Sequence, residues 1–154
     1  MLLLAGCSSS EADAASVTSA ETSYAGASKA EQETQDVTLA ETVLFDQDGI
    51  RITATGLSTD SLFGPELNLL VENDSAQNIV VQPNYCMVNG YMMTDLLYSD
   101  LAPHSHAVDP LTLLGSELED NHIDTITDAE LSLQITDADY YQTIDSTAPI
   151  TLHF

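Results

Sequence analysis

The clearest pattern in the chain is an alternation of apolar and polar residues with a period of two, which predicts strands with one buried face. In the segment from Pro65 to Met93, this alternation is followed by turn residues, by a β-branched run at 79–81 and by Asn89-Gly90. Both central positions of a type I′ turn need positive φ, so Asn89-Gly90 predicts a two-residue hairpin turn. The segment therefore predicts strand, turn, strand, tight turn and strand.

The same signals recur on both sides of this segment. Alternation and apolar runs predict further strands at 43–45, 50–55, 111–114, 131–136 and 150–154. Ser116 and Glu119 fit a capping box, which predicts a helix of only a turn or two. Several short strands with turn signals and almost no helix indicate an all-β fold, an antiparallel β-sandwich.

The charge of the chain narrows the classes of partner. Among 154 residues, 25 are acidic and 2 are lysine or arginine, which gives a net charge of -23. Such a field repels phosphate backbones and anionic lipid head groups, which excludes nucleic acid and a basic membrane-binding patch. Cationic partners and divalent metals are the compatible ligands.

The amino terminus reads MLLLAGC, and Leu4-Ala5-Gly6-Cys7 resembles the lipobox of bacterial lipoproteins of the Gram-positive type. The resemblance implies that the Cys7 thiol receives a diacylglyceryl group, which holds the chain at the outer face of the cell membrane. A secretory signal has a basic n-region and an apolar stretch of about 7–15 residues. No lysine or arginine precedes Cys7 and the apolar lead is shorter, so we expect the true signal to begin upstream of Met1.

Composition divides the chain into three parts. Residues 1–7 are the signal remnant and lipobox. Residues 8–36 are rich in Ser, Ala, Glu and Thr without hydrophobic periodicity, which predicts a disordered tether. Apolar residues recur from Val37, so the β-sandwich domain is predicted at 37–154. With Cys7 lipidated, Cys86 in its apolar stretch is predicted to be a buried, inert thiol.

The order of elements resembles the immunoglobulin-like domains of small, uncharacterised Gram-positive-type lipoproteins. The segments LLVENDSAQNIVV, VNGYM and ELSLQI carry this likeness, which covers roughly Val43 to Phe154. It implies an immunoglobulin-like sandwich and brings no known active site. An antibody-type domain is excluded, because the chain has no Trp and only one candidate core cysteine.

No catalytic motif stands out. The chain has no Gly-x-Ser-x-Gly, Gly-rich phosphate loop, Cys-x-x-Cys or His-Glu-x-x-His. We therefore expect neither an enzyme nor a cofactor. His104 and His106 face the same way in an extended segment, but zinc needs a further ligand, such as His122. The acidic pairs at 46–48 and 137–139 suit calcium, yet turn formation explains both, so no metal site is assigned.

The segment from Tyr91 to Tyr98 is apolar, follows a turn and lacks clean alternation. Tyrosine and methionine are favoured in binding surfaces because they are large and adaptable. Six residues of the segment form the predicted partner-binding surface: Tyr91, Met92, Met93, Leu96, Leu97 and Tyr98. The alternative is that the segment covers one end of the sandwich core.

Together these features predict a lipid-anchored extracytoplasmic domain that binds an envelope protein or a small ligand. One alternative is an architectural spacer or accessory subunit with no ligand of its own, and a saturable partner would distinguish the two. Another alternative is a calcium-dependent adhesion or sensing module, which calcium dependence would identify.

Overall fold

The computed structural model describes residues 39–154, which form two antiparallel β-sheets packed face to face. Its elements are β1 Thr42–Gln47, β2 Ile50–Ser58, β3 Glu66–Asn73, β4 Ile79–Val88, β5 Tyr91–Met93, β6 Asp95–Leu96, β7 Ser99–Leu101, β8 Ser105–Leu113, α1 Gly115–Asp120, β9 Asp128–Asp137, β10 Gln142–Ser146 and β11 Ile150–His153. The prediction of an all-β sandwich with one short helix is confirmed. Cys7, the tether at 8–36 and the boundary at Val37 lie outside the described residues.

The first sheet contains three long strands, β2, β3 and β8, whereas the second is built around one long pair, β4 and β9. The first sheet has the order β1-β2-β3-β8-β6, and the second has the order β10-β9-β4-β5. In the second sheet, β4 pairs with β9 along nearly the whole length of β4. The other edge of β4 and the other edge of β9 are each shared by two short strands. These are β10 and β11 on β9, and β5 and β7 on β4.

The core lies between the sheets and follows the predicted alternation. In β3, Leu67, Leu69 and Val71 are at most 1% exposed, and β9 contributes Leu133 and Ile135 at 0%. Full burial of one such side chain stabilises the fold by about 1.5–3 kcal/mol. The alternation therefore identifies which side of each long strand faces the core.

The hairpin predicted at Asn89-Gly90 is confirmed, since the φ angles are 48° and 85°. The Asn89 side chain also reaches another strand. Its Oδ1 accepts hydrogen bonds from the backbone N–H of Thr127 at 2.9 Å and of Asp128 at 3.2 Å. Its Nδ2 donates to the carbonyl of Thr125 at 2.8 Å. The turn therefore also fixes the start of β9.

Asn73 lies at the start of the predicted turn at 73–76, and its side chain also contacts a distant part of the chain. It is 0% exposed, and its Nδ2 donates to the carbonyls of Gln77 at 2.9 Å, Ala102 at 3.0 Å and Leu101 at 3.3 Å. Its Oδ1 accepts from the Ser75 hydroxyl at 2.6 Å. One buried amide thus joins the β3–β4 turn to the end of β7.

The predicted capping box is wrong. Leu114 is the N-cap of α1, with extended backbone and no side-chain hydrogen bond, while Ser116 and Glu119 lie inside the helix. The start is set instead by a tertiary contact, because the Gly115 N–H donates to the Phe63 carbonyl at 2.8 Å. A backbone partner from the neighbouring loop replaces the hydroxyl that the capping box would supply.

Candidate functional site

The predicted surface at 91–98 divides into exposed and core residues. Met93 is 6% exposed and lies in the core, and Leu97 packs against the core while partly buried. These two residues do not belong to an open surface. The other four are exposed by 50% to 66% of their surface: Tyr91, Met92, Leu96 and Tyr98.

The exposed residues of this segment also lie on different faces of the sandwich. Met92 pairs with Met87 of β4 on the outer face of the second sheet. Leu96 pairs with Thr112 of β8 in the first sheet. The segment crosses from one sheet to the other, so its apolar side chains form no single continuous surface.

Tyr98 instead belongs to a groove on the outer face of the second sheet, which we call the tyrosine groove. Its volume is about 110 Å³, and Tyr141 is another of its walls. Both tyrosines are strongly exposed, Tyr98 by 66% and Tyr141 by 84%. The remaining lining residues are Val80, Gln82, Thr136, Asp137 and Ala138.

The floor of the tyrosine groove contains an unusual polar group. Thr136 pairs with Val80 on the outer face of the sheet, yet the two residues are only 9% and 6% exposed. The Thr136 hydroxyl is buried and has no hydrogen-bond partner among the residues that the structure describes. A buried polar group without a partner costs free energy, so this hydroxyl calls for an explanation.

The Tyr141 wall is held by a turn that Asp137 organises. The Asp137 carboxylate accepts hydrogen bonds from the backbone N–H of Asp139 at 2.8 Å and of Tyr140 at 3.0 Å. The Tyr141 N–H donates to the Asp137 carbonyl at 2.8 Å, and Tyr141 has a φ of 55°. The acidic pair at 137–139 therefore forms a turn, the role that the sequence analysis favoured over calcium.

A larger groove lies beside α1, and we call it the end groove. Its volume is about 340 Å³. Its lining is mostly apolar with one carboxylate at Asp124, and consists of Leu57, Thr59, Pro65, Leu118, Ile123, Asp124, Thr125 and Ile126. Ligand pockets are commonly about 300–1,000 Å³ and mostly apolar with few polar groups, so the end groove has the size and lining of a ligand site.

The loop at 59–65, whose two ends line this groove at Thr59 and Pro65, displays two large apolar side chains. Leu62 is 91% exposed and Phe63 is 67% exposed. Neither residue was among the predicted partner-binding residues, although two consecutive apolar residues before Gly64 in a predicted loop can indicate an exposed apolar surface. Gly64 has a φ of 137°, and a Cβ added there would lie 2.1 Å from the Leu113 carbonyl oxygen. Only glycine fits this close approach.

Titratable groups near β5 and β6 are shifted by burial and by one another. Burial and the nearby Glu117 raise the pKa of Asp95. Hydrogen bonds from the Thr94 side chain and from the Thr94 N–H, the latter at 2.6 Å, lower the pKa of Glu117. Burial, assisted by Asp95, raises the pKa of the Cys86 thiol to about 12. Cys86 is a buried free thiol, as predicted, and a thiol that stays protonated is a poor nucleophile.

The histidines considered for zinc are exposed, with His104 and His106 at the start of β8 and His122 in the turn after α1. His104 is in the preceding turn with a φ of 57°, and His106 pairs with Glu72 on the outer face of the first sheet. Within residues 39–154, no group of three or more His, Cys, Asp or Glu side chains is placed to hold a metal ion. In the same range, no helix is long and apolar enough to cross a membrane.

No protein-family model matches the chain, and no curated protein matches its sequence.

Proposed function

We propose that the protein is a lipid-anchored binding module at the outer face of the cell membrane. The partner-binding surface in this proposal is the 59–65 loop together with the end groove. The lipobox resemblance at Cys7 supports the anchor. The observation that supports the binding role is the exposure of Leu62 and Phe63 on a loop whose backbone is fixed.

Three hydrogen bonds fix this loop. The Leu113 N–H donates to the Pro65 carbonyl at 2.9 Å, and the Gly115 N–H donates to the Phe63 carbonyl at 2.8 Å. The Ser61 hydroxyl donates to the Glu66 carboxylate at 2.6 Å. A loop that is already ordered loses little conformational entropy when a partner binds, so more of the contact energy appears as affinity.

Exposing Leu62 and Phe63 contributes nothing to the fold itself. Burial of each side chain against a partner would yield about 1.5–3 kcal/mol, and exposed apolar patches often mark interaction sites. The end groove supplies an adjoining apolar depression with the Asp124 carboxylate. A partner that combines apolar side chains with basic residues matches both this lining and the net charge of -23.

The test is capture from solubilised envelope with the full chain, followed by binding measurements on the purified captured protein. The variant carries Leu62→Ser and Phe63→Ser, and the matched control carries Val108→Ser. Val108 is 66% exposed in β8 of the first sheet, away from the loop. All three proteins should melt at the same temperature, because only exposed side chains change.

A protein that binds saturably to the wild type and to Val108→Ser, but at least about tenfold more weakly to the loop variant, would establish the binding role. Equal binding to all three would remove the loop from the proposal. Recovery of background proteins alone would favour the architectural spacer.

A further inference from the structure

We propose that the tyrosine groove binds a primary alkylammonium ion, the group at the end of a lysine side chain. This second site lies on the outer face of the second sheet and does not depend on the function proposed for the 59–65 loop. Tyr98, before β7, and Tyr141, in the β9–β10 turn, line the groove together. Neither tyrosine is needed to fill the core, since both are mostly exposed.

The size of the groove restricts the ligand to a small group. Its volume is about 110 Å³, whereas a cavity needs about 10–15 Å³ to hold one water molecule. Pockets that enclose whole small molecules are commonly about 300–1,000 Å³. The tyrosine groove therefore receives one side chain or one head group, and not an extended ligand.

The surrounding charges favour a cation. Asp137 lines the groove, and the exposed Asp100 pairs with Val80 of the groove floor. Among residues 39–154, Arg51 supplies the one lysine or arginine side chain, and it lies in β2 of the first sheet. Within residues 39–154, therefore, no lysine or arginine side chain occupies the groove. Tyrosine faces attract cations through the ring quadrupole, and flanking carboxylates strengthen the attraction.

The polar lining favours a primary ammonium over a quaternary one. A lysine ammonium offers three hydrogen-bond donors, whereas a quaternary ammonium offers none. Two of the lining residues, Gln82 and Asp137, carry acceptor oxygens in their side chains, and the Asp137 carboxylate also accepts hydrogen bonds from two backbone N–H groups. Its floor also holds the Thr136 hydroxyl, which is unpartnered among the described residues. Such an acceptor-rich lining suits a cation that donates.

The test is a nuclear magnetic resonance titration of the full chain carrying Cys7→Ala. The probe is Nα-acetyl-lysine N-methylamide, and the matched neutral ligand is the norleucine counterpart, which lacks only the ammonium group. The Nε-trimethyl form of the lysine probe keeps the positive charge and has no donor on its ammonium group. We expect saturable shifts of the Val80, Thr136 and Tyr141 resonances with the lysine probe, and at least about fivefold weaker binding of the other two compounds.

Two substitutions at Tyr98 distinguish attraction of the cation to an aromatic ring from an apolar contact that any large side chain could make. Tyr98→Phe keeps the aromatic face and should retain most of the affinity, whereas Tyr98→Leu should weaken binding about twofold to fivefold. Tyr91→Ala, at an exposed tyrosine before the groove segment, is the control and should bind as the wild type does. Melting temperatures of all variants establish that each is folded.

Several results would overturn the inference. Equal binding of the norleucine counterpart would remove the role of charge, and equal binding of the trimethylated probe would remove the role of hydrogen-bond donation. Shifts spread over the acidic surface, with none at the groove, would show only general attraction of cations. None of these results bears on the 59–65 loop, which is tested with different variants and a different ligand.

Discussion

Replacing Thr136 with valine should stabilise the protein. Valine has nearly the same shape and the same branching at Cβ, so the substitution removes the hydroxyl and leaves the packing intact. Thr136 is 9% exposed and its hydroxyl has no partner among the described residues. A buried hydroxyl without a hydrogen bond costs about 1–3 kcal/mol in mutational data, so we expect a gain of about 1–2 kcal/mol.

The same substitution at Thr147 is the matched control and should have the opposite effect. Thr147 is 7% exposed and lies just beyond β10, beside β9, the strand that contains Thr136. Its hydroxyl oxygen accepts a hydrogen bond from the buried Leu133 N–H at 2.9 Å. Valine would leave that N–H unpaired at a cost of about 1–3 kcal/mol. The two variants should therefore differ in stability by about 2–5 kcal/mol.

Urea unfolding of the full chain, followed by circular dichroism, measures both free energies, and thermal unfolding checks the sign. A change of 1 kcal/mol moves the melting temperature of a domain of this size by about 4 °C. If Thr136→Val destabilises the protein as much as Thr147→Val does, the Thr136 hydroxyl has a partner in solution and the reasoning is refuted. Unequal denaturant slopes would show that a variant changes more than one contact.

Four further predictions concern the hydrogen bonds, the burial or the pKa of single residues. Asn73→Asp should cost more than about 3 kcal/mol in urea unfolding, because it replaces the donors to three carbonyls with a buried charge. Met93→Asp should destabilise by a few kcal/mol, about what a buried unpaired charge costs, whereas Met92→Asp, at a 62% exposed position, should leave the melting temperature unchanged. In a chain whose other cysteine is replaced by alanine, Cys86 should react with a thiol reagent at pH 8 on the order of 10³-fold more slowly when folded than when unfolded. Asp95→Asn should raise the melting temperature at pH 7. Because the pKa of Asp95 is raised in the folded state, the wild type regains stability as Asp95 is protonated, so the difference from Asp95→Asn should narrow as the pH falls towards about 4 and stay small below it.

The long strands were predictable because each has one face in the core. In β3 and β9 the period-two pattern identifies both the strand and its buried side, and the glycine after Asn89 identifies the tight turn. β10 was missed because its sequence, QTIDS, has a single apolar residue and no alternation. It is an edge strand that pairs with β9 and places one partly buried apolar side chain, Ile144, against the core. Such a strand leaves little hydrophobic pattern in the sequence.

The segment from Tyr91 to Tyr98 lacked alternation for a different reason. It pairs first with β4 in the second sheet, then with β8 in the first sheet, and β7 then returns to β4. Each change of sheet changes which side of the backbone faces the core, so no single period fits the segment. The pattern correctly indicated an irregular apolar stretch, but the division between core and surface depends on long-range pairing that local sequence does not encode.

Thr136, in the floor of the tyrosine groove, is a residue whose burial the sequence pattern does not predict. Alternation in β9 places this residue on the side away from the core, and the pairing with Val80 agrees. It is nevertheless 9% exposed, and Tyr98 and Tyr141, from other parts of the chain, line the same groove on that side of the sheet. A valine there would satisfy the fold better, so the fold alone does not explain the threonine. Residues that break a local rule without a gain in stability are expected at functional sites, and this one lies in the floor of a groove with two exposed aromatic walls.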